Sequence, residues 1–259
     1  MSKCWAHSLG NCSKKISREH VVSGGLFVTD LIDVQGFPWC KDERKRISVA
    51  SLTSKILCEK HNNLLSDLDN EASKVFDNFR EMRRTANMRE NRRPRPWRVV
   101  RYEVDGLLIE RWFLKTLINF SSYSDLPVGS KSADQGFPTP ELTEIAFGIR
   151  SFPGKAGLYL VGQQGQQINS VDNVTFTPLL NNGAYVAGGL FSFRGFTYLL
   201  FLLPQGPPDP LDNVFFLGLH LGDCQIHYHH PLIREFQGRY LSQTFAFRWQ
   251  NVPTSLTGR

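Results

Sequence analysis

The chain has 259 residues, 41% of them hydrophobic, and carries a formal charge of +6 with a mean hydropathy of −0.27. That length can bury one large core or two modest ones. No apolar run reaches the roughly 18 residues of a membrane span, and no basic-then-apolar leader opens the sequence. A membrane protein and a secreted one are both disfavoured, and a cytoplasmic location is expected.

The cysteines are Cys4, Cys12, Cys40, Cys58 and Cys224. An odd number without a leader argues against a disulfide framework. Four of them lie within the first 58 residues, with His7, His20 and His61 in or just beyond that stretch. Clustered thiols and imidazoles in a reducing compartment point to a metal. Charge is concentrated in the same region. Residues 1–101 carry 20 Lys and Arg against 12 Asp and Glu, whereas residues 102–259 carry 10 against 12. The first part therefore suits a polyanionic partner.

Residues 17–20 read Ser-Arg-Glu-His and residues 57–63 read Leu-Cys-Glu-Lys-His-Asn-Asn. Hydrolysis of a phosphodiester needs a neutral imidazole to take a proton from water and a cation to offset the charge that builds on phosphate. His20 can be the base. Glu19 and Asn62 can supply oxygen ligands to Mg²⁺ or Mn²⁺. Adjacent residues on a strand face opposite sides, so Glu19 and His20 serve one site only if the chain curls there. Cys58-x-x-His61 has zinc-knuckle spacing and needs a second pair. Cys4 with Cys12 is the expected pair; Cys4 with His7 is the alternative.

Between these motifs, residues 47–52 and 54–57 read as extended, and residues 41–46 as an exposed basic turn. Leu64, Leu65, Leu68, Ala72, Val75, Phe76 and Phe79 recur at helical spacing and predict one helix from about Asn62 to Arg83.

Residues 4–79 resemble an HNH endonuclease, of the ββα-metal nuclease family. Residues 17–23, Ser-Arg-Glu-His-Val-Val-Ser, resemble its first motif, and residues 56–66, Ile-Leu-Cys-Glu-Lys-His-Asn-Asn-Leu-Leu-Ser, its last. The resemblance implies that His20 activates water, that Glu19 and Asn62 hold the catalytic divalent ion, and that zinc at Cys4, Cys12, Cys58 and His61 is structural. Ser66 stands where many members have a final histidine, which favours a two-ligand arrangement with Asn63, Asp67 and Asp69 in reserve. His61 stands where the knuckle usually has Cys. The middle Asn of the family name has no evident counterpart.

Nine arginines lie between residues 80 and 101, with Pro94 and Pro96 among them. This stretch predicts a linker that straps a nucleic-acid backbone, expected to be DNA, through Arg83, Arg84, Arg89, Arg92, Arg93 and Arg95. Residues 105–120 predict an amphipathic helix and residues 121–140 a loop. Strands are predicted at 157–161, 173–177, 184–193, 196–203, 214–219, 225–229 and 244–249, with turns at 181–183, 194–195 and 204–210. Phe191, Phe193, Phe196 and Tyr198 read as core. The group His220, Cys224, His227, His229 and His230 lacks a zinc spacing. The glycines at 162–165 and 188–189 lack the Lys-Ser/Thr of a phosphate loop.

The expected fold class is α+β: a small zinc-stabilised ββα-metal nuclease domain at residues 1–79, an Arg-rich linker at 80–101, and a larger β-rich α+β domain at 102–259 for regulation or homodimerisation. The expected function is a metal-dependent endonuclease, of a kind that resembles phage-defence or mobile-element effectors. The rival is a zinc-knuckle nucleic-acid-binding regulator without catalysis.

Overall fold

The computed structural model describes residues 4–37, 39–90, 100–122, 126–163, 173–193, 196–208, 214–218, 224–228 and 243–248. These residues form a mixed α+β structure with four α-helices. The first four strands are β1 (Ile16–His20), β2 (Leu31–Gln35), β3 (Lys45–Ser48) and β4 (Thr53–Cys58). β1 and β4 form an antiparallel pair that matches Ile16 with Cys58 and His20 with Thr53, and a bulge falls between Ser17 and Glu19. The basic turn ends sooner than expected, because Lys45 and Arg46 already belong to β3, where Arg46 binds Asp33 of β2 across the hairpin. Residues 49–51, expected to be extended, form a 3-10 turn capped by the Ser48 hydroxyl.

β4 leads directly into α1 (Glu59–Leu64), and after Leu65 the chain continues as α2 (Ser66–Glu90). One helix was expected here, ending at Arg83. Instead the helical path starts earlier, breaks once and runs on to Glu90. Pairs one turn apart, Asp77 with Arg80 and Glu81 with Arg84, support this extension. The first proline after the start of α1 comes only at Pro94. Residues 80–90 are therefore helix rather than linker.

Next come β5 (Val100–Asp105) and α3 (Gly106–Ser121). Asp105 caps α3, its carboxylate accepting from the amides of Leu107 at 2.9 Å and Leu108 at 3.1 Å. An amphipathic helix was expected; in fact 13 of its 16 residues are buried, which makes it the central helix. α4 (Pro140–Ala146) follows the predicted loop, with Pro140 in its first turn and Thr139 as its cap. The remaining strands are β6 (Gly157–Gln163), β7 (Asn173–Asn181), β8 (Tyr185–Phe193), β9 (Phe196–Phe201), β10 (Val214–Gly218), β11 (Cys224–Tyr228) and β12 (Gln243–Arg248). Asn182 and Gly183 both have positive φ in the β7–β8 turn, as the Asn-Gly pair there requires.

The main sheet runs β10-β6-β9-β8-β7-β2-β3. Its pairs are antiparallel except β2 with β7, which are parallel. A smaller sheet, β11-β12-β5, pairs β12 with β5 in parallel. The main sheet thus draws strands from both sides of the boundaries expected at residues 79 and 102. One core is likewise continuous from Cys4 to Leu202. Gly36 permits the β2–β7 junction: it has φ of 93°, and a Cβ there would stand 1.7 Å from the Phe176 carbonyl oxygen. Gly189 lets α3 lie directly on the sheet, since a Cβ would meet Leu117 at 2.9 Å. Phe191, Phe193 and Tyr198 pack around Phe113 as core residues. The Phe196 side chain lies outside the described residues, as do His220, His229 and His230. No helix among the described residues is long and apolar enough to cross a membrane.

Candidate metal centre and the adjoining carboxylate site

The N-terminal loop, the end of β4 and the first turn of α1 converge on one point. The Trp5 amide donates to the Ile56 carbonyl at 2.9 Å and ties the loop to β4. Gly10 and Asn11, both with positive φ, turn the chain so that Cys12 comes back toward Cys4. Cys58 is the residue before α1, and His61 is one helical turn further on. The sulfurs of Cys4, Cys12 and Cys58 lie 3.4, 3.6 and 3.4 Å from Nδ1 of His61. All four ligand atoms fall within 4.8 Å of one another. Zn–S bonds of about 2.3 Å and a Zn–N bond of about 2.0 Å at tetrahedral angles put sulfur and nitrogen roughly 3.6 Å apart. The cluster could therefore hold a metal such as zinc. His7, the alternative ligand, is turned away: its Nδ1 lies 3.2 Å from the Cys4 carbonyl, and its ring stands edge-on to Phe137.

The electrostatics suit a cation. Burial pushes the Cys4 thiol up to about 12, with the neighbouring sulfurs adding to it. A bound divalent ion would reverse that and hold the thiolate. Burial also acts on Cys58, but hydrogen bonds from the backbone of His61 and from Ser13 outweigh it, and the thiol falls to about 7. Burial, then the charge of Lys60, lowers the His61 imidazole, favouring the neutral ring that binds metal.

The second constellation begins one strand away. The β1 bulge precedes Glu19 and does not curl the chain between Glu19 and His20, so the two side chains take opposite faces. Glu19 is only 5% exposed. The Asn62 side chain comes close enough to its carboxylate to offset slightly the rise in pKa that burial imposes, and so two residues that the sequence singled out come together. His20 is half-buried and lies over Gly24, where a Cβ would stand 3.4 Å from Nε2. The His20 carbonyl accepts from the Asn119 side chain of α3 at 3.3 Å, and Asn119 in turn accepts from the Trp5 indole at 3.2 Å. Asn119 thus ties the end of β1 that carries His20 to α3 and to the N-terminal loop.

Lys115 of α3 completes this region. It is 1% exposed, and its ammonium lies 2.6 Å from Glu19 Oε1 and 2.9 and 2.7 Å from the two oxygens of Asp69. Asp69 also accepts from Ser23 at 2.5 Å, and the Trp112 indole donates to Ser23 at 2.8 Å. Burial raises the Glu19 pKa, opposed by the charge and hydrogen bond of Lys115. Of the reserve ligands, Asp69 joins the site. Asn63 and Asp67 are exposed, and Ser66 donates to the Asn63 carbonyl at 2.9 Å. The donor set of Glu19, Asn62 and Asp69 is that of a hard cation. It already holds one, and it does not fit an added Mg²⁺ or Mn²⁺ with Lys115 in place.

Sequence reasoning missed Lys115 and Asn119. Their signal was two polar residues four apart in the apolar run from Trp112 to Phe120. Among the expected nucleic-acid contacts, Arg84 is exposed on α2 and binds Glu81 at 2.7 and 2.8 Å. Arg83 and Arg89 belong to the same helix, and Arg92, Arg93 and Arg95 lie outside the described residues. No protein-family model, curated protein or solved structure matches this chain.

Proposed function

We propose that the chain is a nuclease of the HNH type acting on the phosphodiester bonds of DNA. The observation that carries this reading is the approach of the Asn62 side chain to the Glu19 carboxylate, which brings the two motifs together beside the Cys4, Cys12, Cys58 and His61 cluster. In this reading β1, β4 and α1 form the ββα unit, and zinc in the cluster fixes the start of α1 relative to β1. His20, braced by Asn119, takes the proton from the attacking water. A Mg²⁺ or Mn²⁺ on Glu19 and Asn62, the form in which the family resemblance carries the reaction, would require Lys115 to withdraw. The arginines of residues 80–101 supply the attraction for the nucleic-acid backbone. The β-rich remainder would serve control or pairing of two copies.

The test is zinc-loaded protein with supercoiled plasmid and with RNA, in divalent-free, Mg²⁺ and Mn²⁺ buffers. Cutting that His20→Ala lowers by about 100-fold or more, with DNA affinity unchanged, supports the reading. One observation favours the rival, a zinc-bearing nucleic-acid-binding module without catalysis: Glu19 is buried and paired with Lys115. Tight DNA binding with no cleavage in any buffer would establish it.

A further inference from the structure

We infer that Lys115 is the resident cation of the Glu19–Asp69 site and that it excludes a divalent ion from the carboxylate that the family resemblance gives to one. The claim deepens the nuclease reading and rests on it for its catalytic meaning, but its binding content stands apart from any activity.

The geometry is that of a filled site. An ammonium has three protons and no acceptor, and those of Lys115 face three carboxylate oxygens, one from Glu19 and two from Asp69. The stem belongs to a helix whose neighbouring residues Leu114, Thr116 and Leu117 are buried against the core. Lys115 is therefore held by its helix as well as by its ion pairs. Two carboxylates and one ammonium leave a formal charge of −1. A divalent ion at about 2.1 Å from Glu19 Oε1 would stand within roughly 5 Å of the ammonium on the same oxygen. In an enclosed site that repulsion is poorly screened. Removing the ammonium alone would leave the carboxylates of Glu19 and Asp69 facing one point, an oxygen set suited to Mn²⁺ or Mg²⁺.

Lys115 therefore does in one chain what a bound ion does in the one-metal scheme: it neutralises Glu19 and fixes it beside Asn62. Any phosphodiester chemistry by this protein then proceeds without response to added Mg²⁺. The helix that supplies the lysine comes from the part of the chain beyond the ββα unit, so the site is incomplete without that part.

The experiment is a titration of zinc-loaded, full-length protein with Mn²⁺, followed by electron paramagnetic resonance and calorimetry. The wild type should show no saturable binding up to about 1 mM. Lys115→Met, which keeps most of the stem volume, should gain one site at least about tenfold tighter than that limit, and Glu19→Gln in the Lys115→Met background should abolish it. Saturable Mn²⁺ binding by wild type that Glu19→Gln removes would overturn the inference. So would a folded Lys115→Met that binds none. The wild-type titration decides the matter even if the variant does not fold. Plasmid cleavage is scored in parallel, with and without Mg²⁺. Cleavage that is equal in both supports the inference, and cleavage strictly dependent on Mg²⁺ overturns it. No cleavage in any buffer, with the binding results as expected, sinks the nuclease reading and leaves the cation assignment intact.

Discussion

The Cys/His cluster and the Glu19–Lys115 site are neighbours built in opposite ways. Every member of the cluster comes from residues 4–61, and two of them sit one helical turn apart. Its groups are buried, Cys12 aside, and the free thiols include one pushed up to about 12 by burial. The cluster has no cationic side chain among its four members and could hold an ion from solution, which would then stabilise it. The carboxylate site holds its cation covalently, delivered from α3. The difference teaches that buried negative charge in one small fold can be balanced either by an ion from solution or by a side chain, and that the two solutions respond oppositely to chelators.

Stripping zinc should produce the largest effect. Structural zinc sites contribute on the order of 10 kcal/mol of apparent folding free energy in small domains. Cys58→Ala, which removes a fully buried ligand, should lose zinc and melt the β1–β4–α1 unit. Metal content by atomic absorption and thermal unfolding check this. Cys12→Ala should be milder, because Cys12 lies on the cluster's solvent side. Equal, small effects of the two would mean that the cluster holds no metal.

Next in size is breaking the Glu19–Lys115 pair. Removing one partner of a buried ion pair costs about 3–5 kcal/mol, because the other charge is left without compensation. Lys115→Met, which leaves the Glu19 carboxylate without its cation, should show this in denaturant unfolding, and Glu19→Ala should cost less because Lys115 keeps its bonds to Asp69. Glu19→Gln combined with Lys115→Met should recover part of the loss, since no uncompensated carboxylate then remains at Glu19. A chelator should leave this site unaffected, in contrast with the cluster.

The contrast also explains what could be read from sequence. Cys58-x-x-His61 is local, and spacing along one helical turn fixes its geometry. The strand positions in the second half were legible for a similar reason: alternating apolar runs between turn residues such as Asn182-Gly183 carry their own period. Lys115 and Asn119 meet β1 only because α3 packs against it, at separations of 96 residues for Lys115 and Glu19 and 99 for Asn119 and His20. No local pattern encodes such a meeting. The same holds for β2 pairing with β7, which joined two stretches expected to fold apart.

Glu110 of α3 is a further buried carboxyl and sharpens the comparison, since no cation among the described residues balances it. Its carboxylate accepts from the Leu158 amide at 2.9 Å, and burial, only partly offset by that bond, raises its pKa from 4.5 to about 7. Between those values the folded chain keeps a proton that the unfolded chain has released. This group's contribution therefore falls as pH rises from about 4.5 to 7 and is flat beyond, by about 3 kcal/mol in all. Glu110→Gln keeps an acceptor for Leu158 and should remove that slope. Unfolding midpoints at pH 5, 6 and 7 measure it, and an unchanged slope would place the titration elsewhere.

The smallest effect on stability belongs to the exposed end of α2. Arg84 and Glu81 are 65% and 41% exposed, and such a pair one turn apart contributes no more than about 0.5 kcal/mol. Arg84→Ala should therefore leave the melting temperature nearly unchanged, unlike any substitution at Cys58, Glu19 or Glu110. Its consequence should fall on binding. If Arg84 leaves Glu81 for a phosphate, the variant's affinity for DNA should drop and the slope of log affinity against log salt should shrink by about 1. Glu81→Gln frees the same guanidinium and should strengthen binding. Opposite signs for these two substitutions, at constant stability, assign Arg84 to the nucleic-acid surface; effects of the same sign leave the pair as a helix brace.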